Sequence, residues 1–133
     1  MYPLDHVGVA VTSIDQGIAE YKKGFSLEVD LREVIPSQKV EIAFLKLGNS
    51  LIELLAPTDE SSTIAKFLKT KGPGLHHICF RVNDIRAELK RLNGLGYQLI
   101  DQEPRPGAHN SLIAFIHPKS TSGSLIELCQ RRA

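Results

Sequence analysis

One passage of this chain is written twice. Leu4-Asp5-His6-Val7-Gly8-Val9-Ala10-Val11 near the start and Leu75-His76-His77-Ile78-Cys79-Phe80-Arg81-Val82 past the middle superpose at a constant spacing of 71 residues. At that spacing His6 falls on His77, Val11 on Val82, Ile14 on Ile85, and Ile42-Ala43-Phe44 on Ile113-Ala114-Phe115. Ser50-Leu51-Ile52-Glu53-Leu54 falls on Ser124-Leu125-Ile126-Glu127-Leu128 at a spacing of 74, so three residues are added in the last turn. Turns absorb such insertions at small entropic cost. Two copies are too few for a stacked repeat array, so the chain must fold as a duplicated unit.

The pattern inside each copy is strand-helix-strand-strand-strand. Residues 4–11 are apolar and rich in β-branched side chains, which predicts a strand. Ser13 then offers a helix N-cap with Gln16 as its capping-box partner, and Ile14, Ile18 and Tyr21 recur at helical spacing up to residue 23, where Gly24 closes the helix. Strands follow at 27–34, ended by Pro36, at 40–47, and at 50–55 after the Gly48-Asn49 turn. A connector helix, capped by Ser61 or Ser62, carries Ile64, Ala65, Phe67 and Leu68 and is broken by Gly72-Pro73-Gly74. The second copy then reads as strand 76–82, a helix capped by Asn83 or Asp84 through Ile85, Leu89 and Leu92, and strands at 97–100, 112–116 and 125–130. The expected organisation is one α+β domain over residues 1–133, with modules 4–57 and 75–133 joined by the connector 58–74.

Composition narrows the function. The chain has 133 residues, 42% hydrophobic and 23% charged, which suits a single globular domain. Sixteen Lys+Arg against 15 Asp+Glu give a net charge of +1, too little to favour nucleic acid or an anionic membrane as partner. No apolar run of the ~18 residues needed to span a bilayer is present. The N-terminus lacks the basic-then-apolar secretory pattern, and no CxxC occurs. Cys79 and Cys129 therefore read as small buried apolar residues in a reducing compartment, and a cytoplasmic location is expected.

Chemistry concentrates where the copies agree. Each contributes one His at the start of its first strand, His6 or His77, and one Glu inside an apolar Leu-Ile-Glu-Leu run, Glu53 or Glu127. A lone buried carboxylate costs several kcal/mol unless a positive group meets it. Buried Lys/Arg partners or a metal ion would answer this, and Arg81, the one strand cation at hand, has only Ala10 at the matching position of the first copy. A single divalent ion held by His6, Glu53, His77 and Glu127 answers all four at once. Adjacent strand residues point to opposite faces, so only one of His76 and His77 joins such a site, and the repeat selects His77. His109 and His117 have no counterpart and read as loop and turn residues. Two imidazoles and two carboxylates suit a six-coordinate, fairly hard ion: Co2+ or Mn2+ by preference, then Ni2+, Mg2+ or Zn2+. The ion would act as a Lewis acid on a substrate carbonyl and steady the enolate of a neighbouring C–H acid. Glu41, whose counterpart is Leu112, is either a solvent-facing strand-end acid or a base beside the site. Lys66, Lys119 and Arg105 are surface cations or contacts for phosphate.

These residues resemble the vicinal oxygen chelate superfamily, and within it the methylmalonyl-CoA epimerase family. The resemblance is carried by residues 4–11, Leu47-Gly48-Asn49, Glu53-Leu54-Leu55-Ala56-Pro57, residues 60–68, Gly74-Leu75-His76-His77-Ile78-Cys79, Ile116-His117-Pro118-Lys119-Ser120 and Leu125-Ile126-Glu127-Leu128. It implies paired βαβββ modules forming a curved, partly open mixed β-sheet barrel around a metal site. It implies the interchange of (2R)- and (2S)-methylmalonyl-CoA, an acyl-CoA substrate, and a homodimer. The family's metal ligands fall on His6, Glu53, His77 and Glu127; one of these positions varies between Gln and Glu in the family, and here it is Glu53. The family's paired acid/base carboxylates fall on Glu41 and Glu127. The rival expectations are a lactoylglutathione lyase-like isomerase and a non-catalytic small-molecule-binding protein of the same fold.

Overall fold

The structure, a computed structural model, describes residues 2–132. It divides into two compact units, one of residues 6–76 and one of residues 2–5 with 77–132. Among the described residues the strands and α-helices are β1 (Leu4–Ala10), α1 (Ile14–Phe25), β2 (Val29–Ile35), β3 (Val40–Leu47), β4 (Ser50–Pro57), α2 (Thr63–Lys71), β5 (Gly74–Arg81), α3 (Ile85–Gly94), β6 (Arg105–Pro106), β7 (Leu112–Ile116) and β8 (Ile126–Gln130).

In the unit of residues 6–76 the strand order is β2-β3-β4-β1. β1 runs parallel to β4, while β3 is antiparallel to both β2 and β4. One sheet face is apolar and packs on α1: Ile14 joins Ala43, Leu45, Leu54 and Ala56 in a buried cluster flanked by Ile18 and Tyr21. Each fully buried Leu or Ile there contributes about 1.5–3 kcal/mol. That packing fixes which strand residues face α1 and which face the other way. α2 starts at Ser62, whose Oγ accepts from the Ala65 N–H at 3.0 Å while only 2% exposed. Ser62→Ala is expected to lower stability by about 1 kcal/mol in urea unfolding, the usual cost of a lost N-cap.

In the other unit the order is β5-β8-β7-β6. β5 and β8 are parallel, and β7 is antiparallel to β8 and β6. Here α3 lays Ile85 and Leu89 on Ala114, Ile116, Leu128 and Val82. Asp84 is its N-cap, accepting from the Ala87 N–H at 3.1 Å.

Strand ends shift by at most two residues from the expected ranges, and two other differences have a local cause. α1 continues through Gly24 to Phe25, because Ser26 takes the left-handed cap conformation (φ 59°) and its N–H returns to the Lys22 carbonyl. Residues 97–100 form no strand. Leu99 bridges Ile116 alone, and the Asp101 carboxylate takes the Phe115 N–H at 2.8 Å, which closes the ladder. Strand pairing resumes only as the two residues of β6.

Candidate active site

Each unit builds a histidine–glutamate pair from its own parallel strands. In residues 6–76, the register sets His6 opposite Leu51 and Gly8 opposite Glu53. Residues two apart share a face, so His6 and Glu53 both stand on the face away from α1. His6 Nε2 lies 3.4 Å from Glu53 Oε1. Phe44, directly across from Glu53, sets its ring edge-on to His6 with centroids 5.3 Å apart.

The other unit repeats the recipe. Cys79 is opposite Glu127 on β5 and β8, and His77 Nε2 lies 3.0 Å from Glu127 Oε1. Phe115, across from Glu127, stands edge-on to His77 at 5.8 Å. His76 points elsewhere and stacks edge-on against Phe67 at 4.8 Å. All of His6, Glu53, His77 and Glu127 are buried, none more than 6% exposed. Neutral imidazoles do not cancel two buried carboxylate charges. Protonation of both rings would, and so would one divalent cation. Two nitrogen and two carboxylate oxygen donors carrying two negative charges are a fitting set for such an ion, and these four residues could hold it.

The sequence profile of the glyoxalase/bleomycin resistance protein/dioxygenase superfamily matches residues 5–115, a span that contains His6, Glu53 and His77. The chain belongs to this superfamily. Its α+β fold is the fold expected from the sequence. It is 40% identical over 129 residues to the ethylmalonyl-CoA/methylmalonyl-CoA epimerase of Cereibacter sphaeroides, covering 96% of each protein. The crystal structure of the Mycobacterium tuberculosis methylmalonyl-CoA epimerase superposes with a TM-score of 0.94 at 40% identity, over 98% of this chain and 88% of that one. A Streptomyces coelicolor methylmalonyl-CoA epimerase variant in complex with 2-nitronate-propionyl-CoA superposes with a TM-score of 0.96 at 35% identity, over 100% and 96%.

Glu41, one of the carboxylates that the superfamily resemblance assigned to proton transfer, is not set beside Glu53. Its cross-strand partner is Ala56, and it is two residues from Ala43, so it stands on the α1 face of the sheet. Glu53 stands on the other. Arg32 Nε donates to Glu41 at 2.7 Å, and Arg32 Nη1 donates to Asp15 of α1 at 2.7 Å. Glu41 first, then Asp15, raises the Arg32 pKa. Glu41 thus ends a surface ion-pair chain that runs through Arg32 to Asp15, on the sheet face opposite Glu53. Glu41→Gln is expected to keep epimerisation within about ten-fold of wild type and to cost less than ~1 kcal/mol of stability. A loss beyond ~100-fold would return Glu41 to the chemistry.

Asp5, beside His6 in sequence, is a site the pattern analysis missed. It is fully buried, and its carboxylate accepts from Arg81 Nε at 2.9 Å and from Arg131 Nε and Nη2 at 3.0 and 2.6 Å. Burial acts against the Arg131 charge, but the hydrogen bonds and charge of Asp5 outweigh it and raise the Arg131 pKa. Cys79 and Cys129 lie close to Asp5. With Asp5 already neutralised by two guanidiniums, these three residues make a poor cation site. Burial, the neighbouring Cys129 and the charge of Glu127 push the Cys79 thiol far up, so it stays a thiol. Among the phosphate candidates, Arg105 lies over the Phe115 ring at 5.4 Å with Asp101 at 3.3 Å. Among the described residues, no helix is long and apolar enough to cross a membrane.

Proposed function

We propose that the protein is a metal-dependent epimerase that interconverts (2R)- and (2S)-methylmalonyl-CoA. The observation that supports this most is the duplicated, buried His–Glu pair in a chain whose relatives include methylmalonyl-CoA epimerases, two of them matched over 96% and 88% of their own length. His6, Glu53, His77 and Glu127 would hold one divalent ion, Co2+ or Mn2+ by preference. That ion would supply Lewis acidity to the thioester and carboxylate oxygens of the substrate.

The rest of the chemistry belongs to the chain. The C2 proton lies between a thioester and a carboxylate and is only weakly acidic, so it needs a well-placed base. Glu127 is that base for one epimer, with His77 fixing its carboxylate at 3.0 Å. The edge-on Phe115 and Phe44 rings wall the imidazoles and exclude water around them. The same reading expects a cytoplasmic homodimer. Chiral analysis after incubation with (2S)-methylmalonyl-CoA is expected to show both epimers at equilibrium. Turnover of the methylglyoxal–glutathione adduct without any epimerisation would assign the protein to lactoylglutathione lyase chemistry instead.

A further inference from the structure

With Glu41 on the α1 face, the acid that serves the second face of the substrate must come from elsewhere. A single base could invert C2 only if the substrate turned over within the site. The strand register points to one residue. On β2, Glu33 lies across from Ile42; Ile42 lies across from Leu55 on β4; Leu55 lies across from Ala10 on β1. Cross-strand partners share a face, so this row stands on the same face as the row Phe44, Glu53, Gly8 one step along. Ile42 and Ala10 are fully buried and Leu55 nearly so, which makes the row a dry apolar floor with one carboxylate, half-buried, at its end. Two strand spacings and two residues separate Glu33 from Glu53, about 12 Å between Cα atoms on a flat sheet. The Glu33 side chain and one small acyl group fit within such a span from the Glu53 position.

The second unit shows the same position with the opposite charge. Arg105 lies across from Ile113, the counterpart of Ile42 at the repeat spacing of 71 residues. A guanidinium stays protonated and accepts nothing. The position thus offers proton transfer in one copy only, at Glu33.

We infer that Glu33 is the second proton-transfer group of the epimerisation, serving the face of C2 that Glu127 does not; this rests on the epimerase reading above. In one direction the Glu127 carboxylate takes the C2 proton. The C–H electron pair passes into the enolate, and the Glu33 carboxylic acid gives its proton to C2 from the other face. In the reverse direction the two groups exchange roles, so no further reactant is needed.

Metal-loaded Glu33→Gln, incubated in D2O with each epimer separately, tests this. Epimerisation is expected to fall at least ~100-fold. Metal content and acyl-CoA affinity are expected to stay at wild-type values. One epimer, whose C2–H meets Glu127, is expected to exchange deuterium without inversion, and the other to exchange none. Glu33→Asp, which keeps the acid one methylene shorter, is expected to restore measurable epimerisation. Epimerisation by Glu33→Gln within ten-fold of wild type, loss of exchange from both epimers together, or loss of the metal would overturn the assignment. If the wild-type protein itself neither epimerises nor exchanges, the epimerase reading fails, and the role of Glu33 fails with it.

Discussion

His77→Ala is expected to leave the protein without its divalent ion and without measurable epimerisation. The imidazole does two things in the structure: its Nε2 sits 3.0 Å from Glu127, and its ring fills a buried pocket against Phe115. Alanine removes one of four proposed ligands and leaves the Glu127 carboxylate short of a partner in an apolar strand. Loss of an outer-shell partner alone commonly costs 10–100-fold in metal affinity, so loss of a ligand is expected to exceed ~100-fold. The variant should also be less stable, because a buried carboxylate loses a hydrogen-bonding neighbour. His76→Ala is the matched control. His76 stacks on Phe67 on the other side of the strand, so that variant should keep its ion. Metal analysis of both purified variants reads the difference directly. A full complement of metal in His77→Ala would refute the ligand assignment.

Asp5→Ala is expected to be the most destabilising single substitution outside the His–Glu pairs. Its carboxylate satisfies Arg81 and Arg131 at once in a place with no solvent access to the acid. Removing it leaves two guanidiniums without their counter-charge. The Arg81 and Arg131 side chains are 42% and 22% exposed, so water takes up part of the loss and the expected cost is about 2–4 kcal/mol. For a domain of this length that corresponds to a fall in Tm on the order of 10 °C. Thermal unfolding measures it. Replacing all three charged residues with apolar side chains of similar size should recover most of the loss, because the desolvation of the charges disappears with them. A loss below ~1 kcal/mol for Asp5→Ala would show that the cluster is screened by water.

How much of this could be read beforehand depended on whether the repeat carried the signal. His6 with His77, and Glu53 with Glu127, stood out because the same residue types recur at matching positions. Asp5 gave no such signal, since its counterpart is His76 and its partners come from β5 and from Arg131, beyond the last strand. Alternation showed that Glu41 opposes its neighbours but not which face α1 would cover. Only the packing of Ala43 and Ala56 on α1 decides that. Glu33 was hidden for a related reason: within Arg32-Glu33 the two charges look like an ordinary polar edge strand, and register alone separates their faces. Residues 97–100 have strand composition, yet the Asp101 side chain takes the backbone N–H that a ladder would need. Long-range partners and face identity are tertiary facts, and a pattern of period two leaves both open.

One divalent ion, held by His6, Glu53, His77 and Glu127, is expected to make C2 of methylmalonyl-CoA exchangeable. Deuterium wash-in at C2, followed by mass spectrometry on chelator-treated protein before and after return of Co2+ or Mn2+, tests it most directly. The expected result is negligible exchange without metal and full exchange once one ion per chain is restored. Rapid exchange by the metal-free protein would contradict it.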